Sequence, residues 1–318
     1  MNSLKPKVSI IGVGNVGARY AYALTIKGIT RQIVMVDIAR KRLEGEVMDL
    51  SHGAPYIAPV ELIAGDYPDI YDSDLVVITA GRNRKPGESR LDLAKSNVEL
   101  YRKIIPEIMK FAPDAIFLVV TNPVDVLAYA AFKFSNKPAH EVISSGTVLD
   151  TARFRFLISD HCKVDPRNVH GYILGEHGRS EFAVWSRVII GGILFEDYCP
   201  TCEEKNICKH RKNPERILSE VRDFGRKIIE KKGETSYGIG LALVRITEAI
   251  LNDENSVLPV SCHVDGFLGI QDVYLSLPSI VCKTGIKKVL EIELSPHEQE
   301  MLKNSADTIK EVIKRVGL

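Results

Sequence analysis

The chain has 318 residues, with 42 Lys or Arg against 41 Asp or Glu, for a formal net charge of +1. This balance argues against nucleic acid or an anionic membrane as the main partner, so we expect a small-molecule ligand. No apolar run is long enough to cross a bilayer and no amino-terminal signal peptide is recognisable, which predicts a cytoplasmic protein. The length favours two joined domains.

Apolar, β-branched runs alternate with helical stretches through the first half of the chain. We predict strands at residues 7–11, 33–36, 75–79, 116–120 and 142–145, and a first helix at 18–27. Continuous apolar strands separated by helices are typical of a parallel sheet covered on both faces. We therefore expect a doubly wound α/β fold.

The pattern becomes mixed α+β from about residue 147. We predict helices at 153–161 and 236–252, strands at 169–174 and 187–190, and a last helix after Ser295. Ser295 and Glu298 have the spacing of a capping box. The change of pattern divides the chain into a first domain, residues 1–146, and a second domain, residues 147–318.

A glycine-rich segment follows the first predicted strand. Gly12, Gly14 and Gly17 have the spacing that lets backbone amides approach a pyrophosphate at a helix start. Asp37 ends the second strand, where a carboxylate can bind the ribose hydroxyls and repel the extra phosphate of NADP. The segment therefore predicts a Rossmann domain that binds NAD. The alternative is a glycine turn in a flavodoxin-like sheet.

Two short segments in the second half carry acid–base chemistry. A carboxylate beside His177, such as Asp150, would raise the pKa of the imidazole and favour its charged form. That form could donate a proton to a developing alkoxide. Arg153 offers a planar fork that matches a carboxylate, which a Lys cannot do. The alternative is a core histidine and an unrelated surface ion pair.

Six motifs, in this order along the chain, together resemble the L-lactate dehydrogenases and the lactate-dehydrogenase-like malate dehydrogenases. They are the Gly12-x-Gly14-x-x-Gly17 turn, Asp37, residues 81–90, Thr121-Asn122-Pro123-Val124-Asp125, Gly146-Thr147-Val148-Leu149-Asp150-x-x-Arg153 and Gly175-Glu176-His177-Gly178. The resemblance implies an enzyme that transfers a hydride reversibly between NADH and a small 2-oxo acid.

The resemblance also implies a role for each matching residue. His177 would be the general acid and base, and Asp150 its orienting, charge-stabilising partner. Arg153 would bind the substrate carboxylate, and Arg90, on a mobile loop, would polarise the carbonyl. Asn122 would hydrogen-bond the reacting oxygen. The other contacts that we expect are Thr235 to the substrate, and Asn15, Val16, Thr79, Gly81 and Asn122 to NAD.

The loop at residues 81–90 bears on which acid is reduced. Malate dehydrogenases typically have Arg at the position of Arg84, where lactate dehydrogenases have Gln, and a second guanidinium would pair with the distal carboxylate of oxaloacetate. Glu88, Glu176 and Thr235 instead look like lactate dehydrogenase. We favour oxaloacetate and L-malate, with pyruvate and L-lactate as the alternative. Arg84 would then be a solvent-facing charge.

Two further cations match positions that bind fructose 1,6-bisphosphate in many bacterial lactate dehydrogenases. They are Arg155 and His170, which would form a four-cation pocket across a subunit interface. The alternative is an enzyme without this effector, because Arg155 is also common in relatives that lack it. Arg179 departs from the family, which usually has Asp there, and the sequence gives no account of it.

A cysteine-containing segment supplies four candidate zinc ligands, Cys199, Cys202, Cys208 and His210. Cys199 and Cys202 have the spacing of a zinc half-site, but Cys208 and His210 are closer together than zinc sites usually require. We favour a hydrophilic surface loop with free thiols, and a structural zinc ion is the alternative.

The resemblance implies a homodimer or homotetramer, with interface helices near residues 44–51 and after Asp150. A different class of function would be a non-catalytic sensor that keeps the NAD fold. Such a sensor predicts a gap in the set of catalytic residues, and the sequence shows none.

Overall fold

The computed structural model describes residues 6–82, 87–198 and 215–318. The strands within these ranges are β1 (Lys7–Ile11), β2 (Gln32–Val36), β3 (Glu61–Gly65), β4 (Leu75–Ile78), β5 (Ile116–Val119), β6 (Val142–Ser144), β7 (Val169–His170), β8 (Ile173–Leu174), β9 (Phe182–Ala183), β10 (Ile189–Ile190), β11 (Ile193–Leu194), β12 (Ser256–Leu258), β13 (Ser261–Val264), β14 (Val273–Ser276), β15 (Ser279–Cys282) and β16 (Gly285–Val289). The helices are α1 (Asn15–Lys27), α2 (Arg40–His52), α3 (Arg90–Phe111), α4 (Val124–Ser135), α5 (Val148–Cys162), α6 (Phe195–Tyr198), α7 (Glu215–Lys232), α8 (Tyr237–Leu251) and α9 (Pro296–Val316).

A single large sheet organises the first half of the chain. Its strand order is β3-β2-β1-β4-β5-β6-β13-β14. Strands β1 to β6 are parallel to one another, β13 is antiparallel to β6, and β14 is antiparallel to β13. The inner strands are apolar and buried along most of their length, because helices cover both faces of the sheet. The predicted doubly wound α/β fold is confirmed. The order reverses beside β1, which is where such sheets bind ligands.

The sheet contains three strands that the sequence pattern did not predict. The edge strand β3 is only partly buried, and β13 carries Ser261 and His263, so neither has the continuous apolar run of an inner strand. Helix α1 begins at Asn15, three residues before the predicted start at 18, because Gly14 is its N-cap and Gly17 lies in its first turn. Glycine has a low helix propensity, which concealed that turn.

The second half forms small antiparallel sheets around its own helices. The predicted strand at 169–174 is divided into β7 and β8, which belong to different sheets, and only Ile189–Ile190 of the predicted 187–190 is a strand. Helix α5 begins at Val148, five residues before the predicted start at 153. The capping box before α9 is confirmed, because the Ser295 hydroxyl accepts from the Glu298 amide at 3.3 Å.

Two contacts join distant parts of the chain. Strand β13 extends the sheet of the first half by pairing with β6, through Ser261 and Ser144. Helix α8 packs on α1, where the Tyr20 and Thr247 hydroxyls are 2.7 Å apart in the buried core.

In the ranges 6–82, 87–198 and 215–318, no helix has both the length and the apolar composition that crossing a membrane requires.

Candidate functional site

The turn after β1 is shaped by backbone that only glycine permits. Gly12 has φ of +94°, and a Cβ there would lie 2.5 Å from the Ala80 backbone. A Cβ on Gly17 would lie 2.2 Å from the carbonyl oxygen of Gly12, so α1 packs directly against the turn. A Cβ on Gly14 would meet nothing within 4 Å. Open space therefore faces the amino end of α1, where backbone amides can bind a pyrophosphate.

Asp37 closes the same turn from the end of β2. Its Oδ2 accepts from the Val13 amide at 2.6 Å, and its Oδ1 accepts from the Ala39 amide at 2.7 Å. Each carboxylate oxygen has a second lone pair for a ribose hydroxyl. The glycine turn and this carboxylate together fit a dinucleotide without a 2′-phosphate.

The other residues predicted to contact the cofactor lie around the same edge of the sheet. The Thr79 hydroxyl donates to the Gly12 carbonyl, which links the ends of β1 and β4. A Cβ on Gly81 would be 2.1 Å from the Thr121 side chain. The Asn122 carbonyl accepts from Asn97 at 2.9 Å, and its residue is exposed. In α1, Asn15 is exposed and Val16 is half-buried against the core.

The acid–base residues meet where α5 approaches the turn between β8 and β9. His177 Nδ1 is 2.6 Å from Asp150 Oδ2, and Arg153 Nη1 is 3.1 Å from Asp150 Oδ1. Asp150 and Arg153 are three residues apart, so they lie on one face of the helix. One buried carboxylate thus joins an imidazole and a guanidinium that are 24 residues apart in sequence.

Electrostatics favours an imidazolium in this cluster. The charge of Asp150 is the main cause that raises the pKa of His177 to about 10, against burial, which lowers it. Burial would raise the pKa of Asp150, but the charges of His177 and Arg153 hold it below its usual value. The His177 side chain is 28% exposed and Asp150 is 3% exposed. Since Nδ1 is bonded to Asp150, Nε2 is the nitrogen left to exchange a proton.

Asp125 fixes the backbone of the same turn, a role that the sequence did not suggest. Its Oδ2 accepts from the His177 amide at 2.8 Å, from the first turn of α4. Burial raises the pKa of Asp125 to about 6. The signal available was its place as the last residue of the motif that begins at Thr121, where a charged residue lies in the first turn of an apolar helix.

Glu181 is a second functional candidate that sequence reasoning missed. It is 2% exposed, and one of its carboxylate oxygens lies within 4.8 Å of both a His177 ring nitrogen and an Asp150 oxygen. An acidic residue directly before the buried run that begins at Phe182 is unusual, and that contrast is the signal in the sequence.

Arg90 and Thr235 are outside the hydrogen-bonded cluster. Arg90 is the exposed first residue of α3, after the Ser89 cap, and Thr235 is half-buried just before α8. Within the described ranges, no hydrogen bond or ion pair joins either residue to His177. The Arg82 guanidinium donates to Glu88 at 2.7 Å, across the segment that precedes Arg90.

Several predicted residues lie outside the described residues. These are Arg84, Cys199, Cys202, Cys208 and His210. The substrate preference inferred from Arg84 and the alternative of a zinc site therefore stay predictions.

The two cations predicted to bind an effector are neighbours. Arg155 Nε donates to the Gly171 carbonyl at 3.0 Å, and the guanidinium lies over the Tyr172 ring at 5.3 Å. His170 is exposed at the end of β7. Arg179 is exposed two residues after His177, and nothing in the structure explains why it replaces an acidic residue.

Comparison with known protein families matches nearly the whole described chain. The model for the lactate/malate dehydrogenase NAD binding domain matches residues 6–144. The model for the lactate/malate dehydrogenase alpha/beta C-terminal domain matches residues 147–317.

Similar full-length proteins include two L-lactate dehydrogenases. The L-lactate dehydrogenase of Acetivibrio thermocellus is 47% identical over 317 residues, covering 100% of this chain and 99% of that protein. The L-lactate dehydrogenase of Kosmotoga olearia is 50% identical over 311 residues, covering 98% and 96%.

Solved structures agree with these sequence matches. A lactate dehydrogenase from a Medee basin deep-sea metagenome library superposes with a TM-score of 0.94 at 42% identity, covering 99% of both chains. The minor L-lactate dehydrogenase of Enterococcus mundtii has a TM-score of 0.94 at 39% identity, covering 99% of this chain and 100% of that one.

Proposed function

The chain belongs to the lactate/malate dehydrogenase family, an NAD-dependent group of oxidoreductases, and we propose that it is an L-lactate dehydrogenase that interconverts pyruvate and L-lactate. The observation that carries this proposal is the name shared by relatives of 46% to 50% identity over nearly the full chain. It favours the alternative that we weighed against oxaloacetate, and Arg84 is the one residue that argues for the latter.

The charge and position of the cluster support the chemistry. NAD, when bound, accepts and supplies the hydride. Arg153 would hold the substrate carboxylate with the guanidinium nitrogens that Asp150 leaves unused. His177 would give its Nε2 proton to the carbonyl oxygen during reduction and take it back during oxidation. Asp150 would keep His177 in its imidazolium form before the substrate binds.

Residues outside the cluster would complete the site. Arg90 would approach from the start of α3 to stabilise negative charge on the reacting oxygen. Asn122 would donate a hydrogen bond to the same oxygen, and Thr235 would line the substrate side.

Kinetics with two substrates tests the assignment. We expect kcat/KM for pyruvate to exceed that for oxaloacetate by at least about tenfold at one pH, as the name shared by the full-length relatives implies. An enzyme that prefers oxaloacetate would overturn the lactate assignment and leave the family unchanged.

The variant Arg84→Gln separates the two interpretations of that residue. If Arg84 faces solvent, the ratio of the two specificity constants stays within about twofold of the wild type. A large shift toward pyruvate would instead show that Arg84 binds the distal carboxylate. The control is Lys85→Gln, which removes a neighbouring cation from the same loop.

We also propose that fructose 1,6-bisphosphate binds at Arg155 and His170. The His170 imidazole is exposed and adjoins Gly171, whose carbonyl accepts from Arg155 Nε, so a cation from each residue near this turn supports a phosphate contact. We expect KM for pyruvate to fall as the effector is added, and Arg155→Gln to abolish the response. A flat activity curve in the wild-type enzyme would refute this proposal.

We further propose a homodimer or homotetramer. Apolar side chains that are more than half exposed lie on α1, α2, α5 and α8, and large exposed apolar residues on several neighbouring helices are typical of subunit interfaces. They are Tyr22, Ile26, Met48, Phe156, Tyr237 and Leu241. Sedimentation analysis should give an even multiple of 35.4 kDa. A monomer at micromolar concentration would contradict it.

A further inference from the structure

Glu181 is a buried carboxyl group beside the proton-transfer pair that the proposed reaction does not use. It directly precedes β9, and it is 2% exposed. Its carboxylate oxygen, an Asp150 oxygen and a His177 ring nitrogen all lie within 4.8 Å of one another. His177 therefore has a second carboxyl group close to its ring, besides the one that it bonds.

Within residues 6–82, 87–198 and 215–318, the hydrogen bonds of Glu181 involve its backbone rather than its side chain. Among the described residues, no hydrogen bond to its carboxyl oxygens is found, and Arg222 donates instead to its backbone carbonyl. A buried carboxyl group that served only to fasten α7 would use its side chain for an ion pair with that arginine. The carboxyl group is left facing the charged pair.

The surroundings of Glu181 decide its charge. The charged groups that face it are Asp150 and Arg153 on α5, Arg222 on α7 and His177 in its own turn. Around His177 they are Asp150, Glu181 and Asp125 on α4, while Ser305 on α9, which contacts this turn, is uncharged. Burial and the charge of Asp150 raise the pKa of Glu181 to about 8. Both causes favour the uncharged carboxyl group of Glu181 near neutral pH.

We infer that Glu181 is a positioning residue for proton transfer, whose carboxylate, once it has lost its proton to solvent, keeps His177 protonated to higher pH than Asp150 alone would. The inference rests on the proposed proton exchange at His177. At neutral pH the uncharged carboxyl leaves the imidazolium balanced by Asp150 only, so a second negative charge does not repel the substrate carboxylate. As the solution becomes alkaline, the new charge compensates for the lower proton concentration.

The pH dependence of keto-acid reduction tests this inference. We expect the alkaline limb of the kcat–pH profile of Glu181→Gln to lie about one unit lower in pH than that of the wild type. A negative charge within about 4–6 Å of an imidazolium raises the pKa of the imidazole by about that much, and the variant lacks this charge. Glu181→Asp retains the charge, so its limb should stay within about half a unit of the wild type. The matched control is Glu293→Gln, which removes an exposed carboxylate from the same half of the chain.

A second measurement does not depend on which keto acid is the substrate. The His177 imidazole can be titrated by NMR in the NADH-free enzyme with ¹⁵N-labelled histidine, its signal being assigned with His177→Gln. The midpoint should fall by about one unit in Glu181→Gln and not in Glu293→Gln. Equal midpoints in the wild type and Glu181→Gln would overturn the role of Glu181, even in an enzyme that reduces pyruvate as proposed.

A third measurement uses the wild-type enzyme, so it does not depend on whether Glu181→Gln folds. In the wild-type enzyme, infrared difference spectra between pH 7 and pH 9 should show the loss of one protonated carboxyl band, which Glu181→Asp retains with a small shift. If no such band is lost, Glu181 does not titrate between pH 7 and pH 9, and the inference is wrong.

Discussion

His177 is surrounded by three carboxyl groups, and each acts on a different part of the residue. Asp150 bonds the ring, Asp125 accepts from the backbone amide, and Glu181 lies beside the ring without bonding it. The ring bond fixes which nitrogen exchanges a proton, and the backbone bond fixes where the ring sits. Different side chains therefore set the charge of the His177 imidazole and its position.

The variant Asp150→Asn should lose catalysis while keeping the fold. An amide of the same shape removes the charge that raises the pKa of His177, so the neutral imidazole predominates at pH 7.5. We expect kcat for pyruvate reduction to fall by at least about 100-fold. The control is Asp160→Asn on the same helix, an exposed partner of Lys163. Equal losses in both variants would point to damage to α5 instead.

The variant Asp125→Asn should change how stability depends on pH. Because burial raises the pKa of Asp125 from 3.8 to about 6, its contribution to the free energy of unfolding is complete below pH 3.8 and is lost as the pH rises through 6. Asparagine does not titrate and its Oδ1 can still accept from His177. Between pH 4 and pH 7.5, urea unfolding should therefore shift in favour of the variant by about 2–3 kcal/mol.

The exposed residue Asp114 provides the control for that experiment. Asp114→Asn should show the same difference from the wild type at both pH values. A difference for Asp125→Asn that is equally independent of pH would mean that Asp125 is not held in the protonation state that its burial implies.

At the scale of elements, the glycine turn shows how one motif serves two purposes. Gly12 and Gly17 allow β1 and α1 to approach each other, whereas Gly14 leaves room outside the helix. The first two are required by packing within the protein, and the third is required only by a ligand. A sequence motif does not separate these roles, because all three positions carry the same residue.

The variants Gly17→Ala and Gly14→Ala distinguish these purposes. A methyl group on Gly17 collides with the Gly12 carbonyl, so we expect a loss of about 2–3 kcal/mol in the free energy of unfolding. Gly14 has φ of −73° and free space, so Gly14→Ala should unfold at nearly the wild-type temperature. Its Kd for NADH should rise about tenfold, because the methyl group occupies the approach of the pyrophosphate. Unchanged NADH affinity would place the cofactor elsewhere.

At the scale of the whole molecule, the two halves of the chain share structure. Strands β13 and β14 come from the second half and complete the sheet of the first, and α8 packs on α1. The catalytic turn is held by Asp125 from the first half and Asp150 from the second. The position of the catalytic turn therefore depends on residues from both halves of the chain.

The variant Tyr20→Phe should weaken that shared core slightly. It removes the buried hydroxyl that is 2.7 Å from Thr247, while Thr247 keeps its bond to the Leu243 carbonyl at 2.8 Å. We expect a loss of about 1 kcal/mol and a fall in Tm of about 2–4 °C by calorimetry. The control is Tyr22→Phe on the same helix, whose side chain is 55% exposed. Equal effects would show that the Tyr20–Thr247 contact contributes nothing specific.

The sequence by itself determined the features that depend on a few neighbouring residues. Apolar runs predicted the inner strands, glycine spacing predicted the turn before α1, and Ser295 with Glu298 predicted the start of α9. Each of these signals is complete within about one turn of helix or one strand. Residue chemistry suggested that Asp150 charges His177 and that Arg153 binds a carboxylate, and the family resemblance assigned these residues their roles in one reaction.

Only the tertiary structure decided which distant residues lie beside His177. Asp125 is 52 residues from it in sequence, and its contact depends on how α4 packs against the turn before β9. Strands β3 and β13 likewise depend on pairing with neighbours, since their own apolar character is weak or interrupted. Burial next to a charge gives Glu181 its altered acidity, and burial is a property of the packed chain that no stretch of sequence specifies alone.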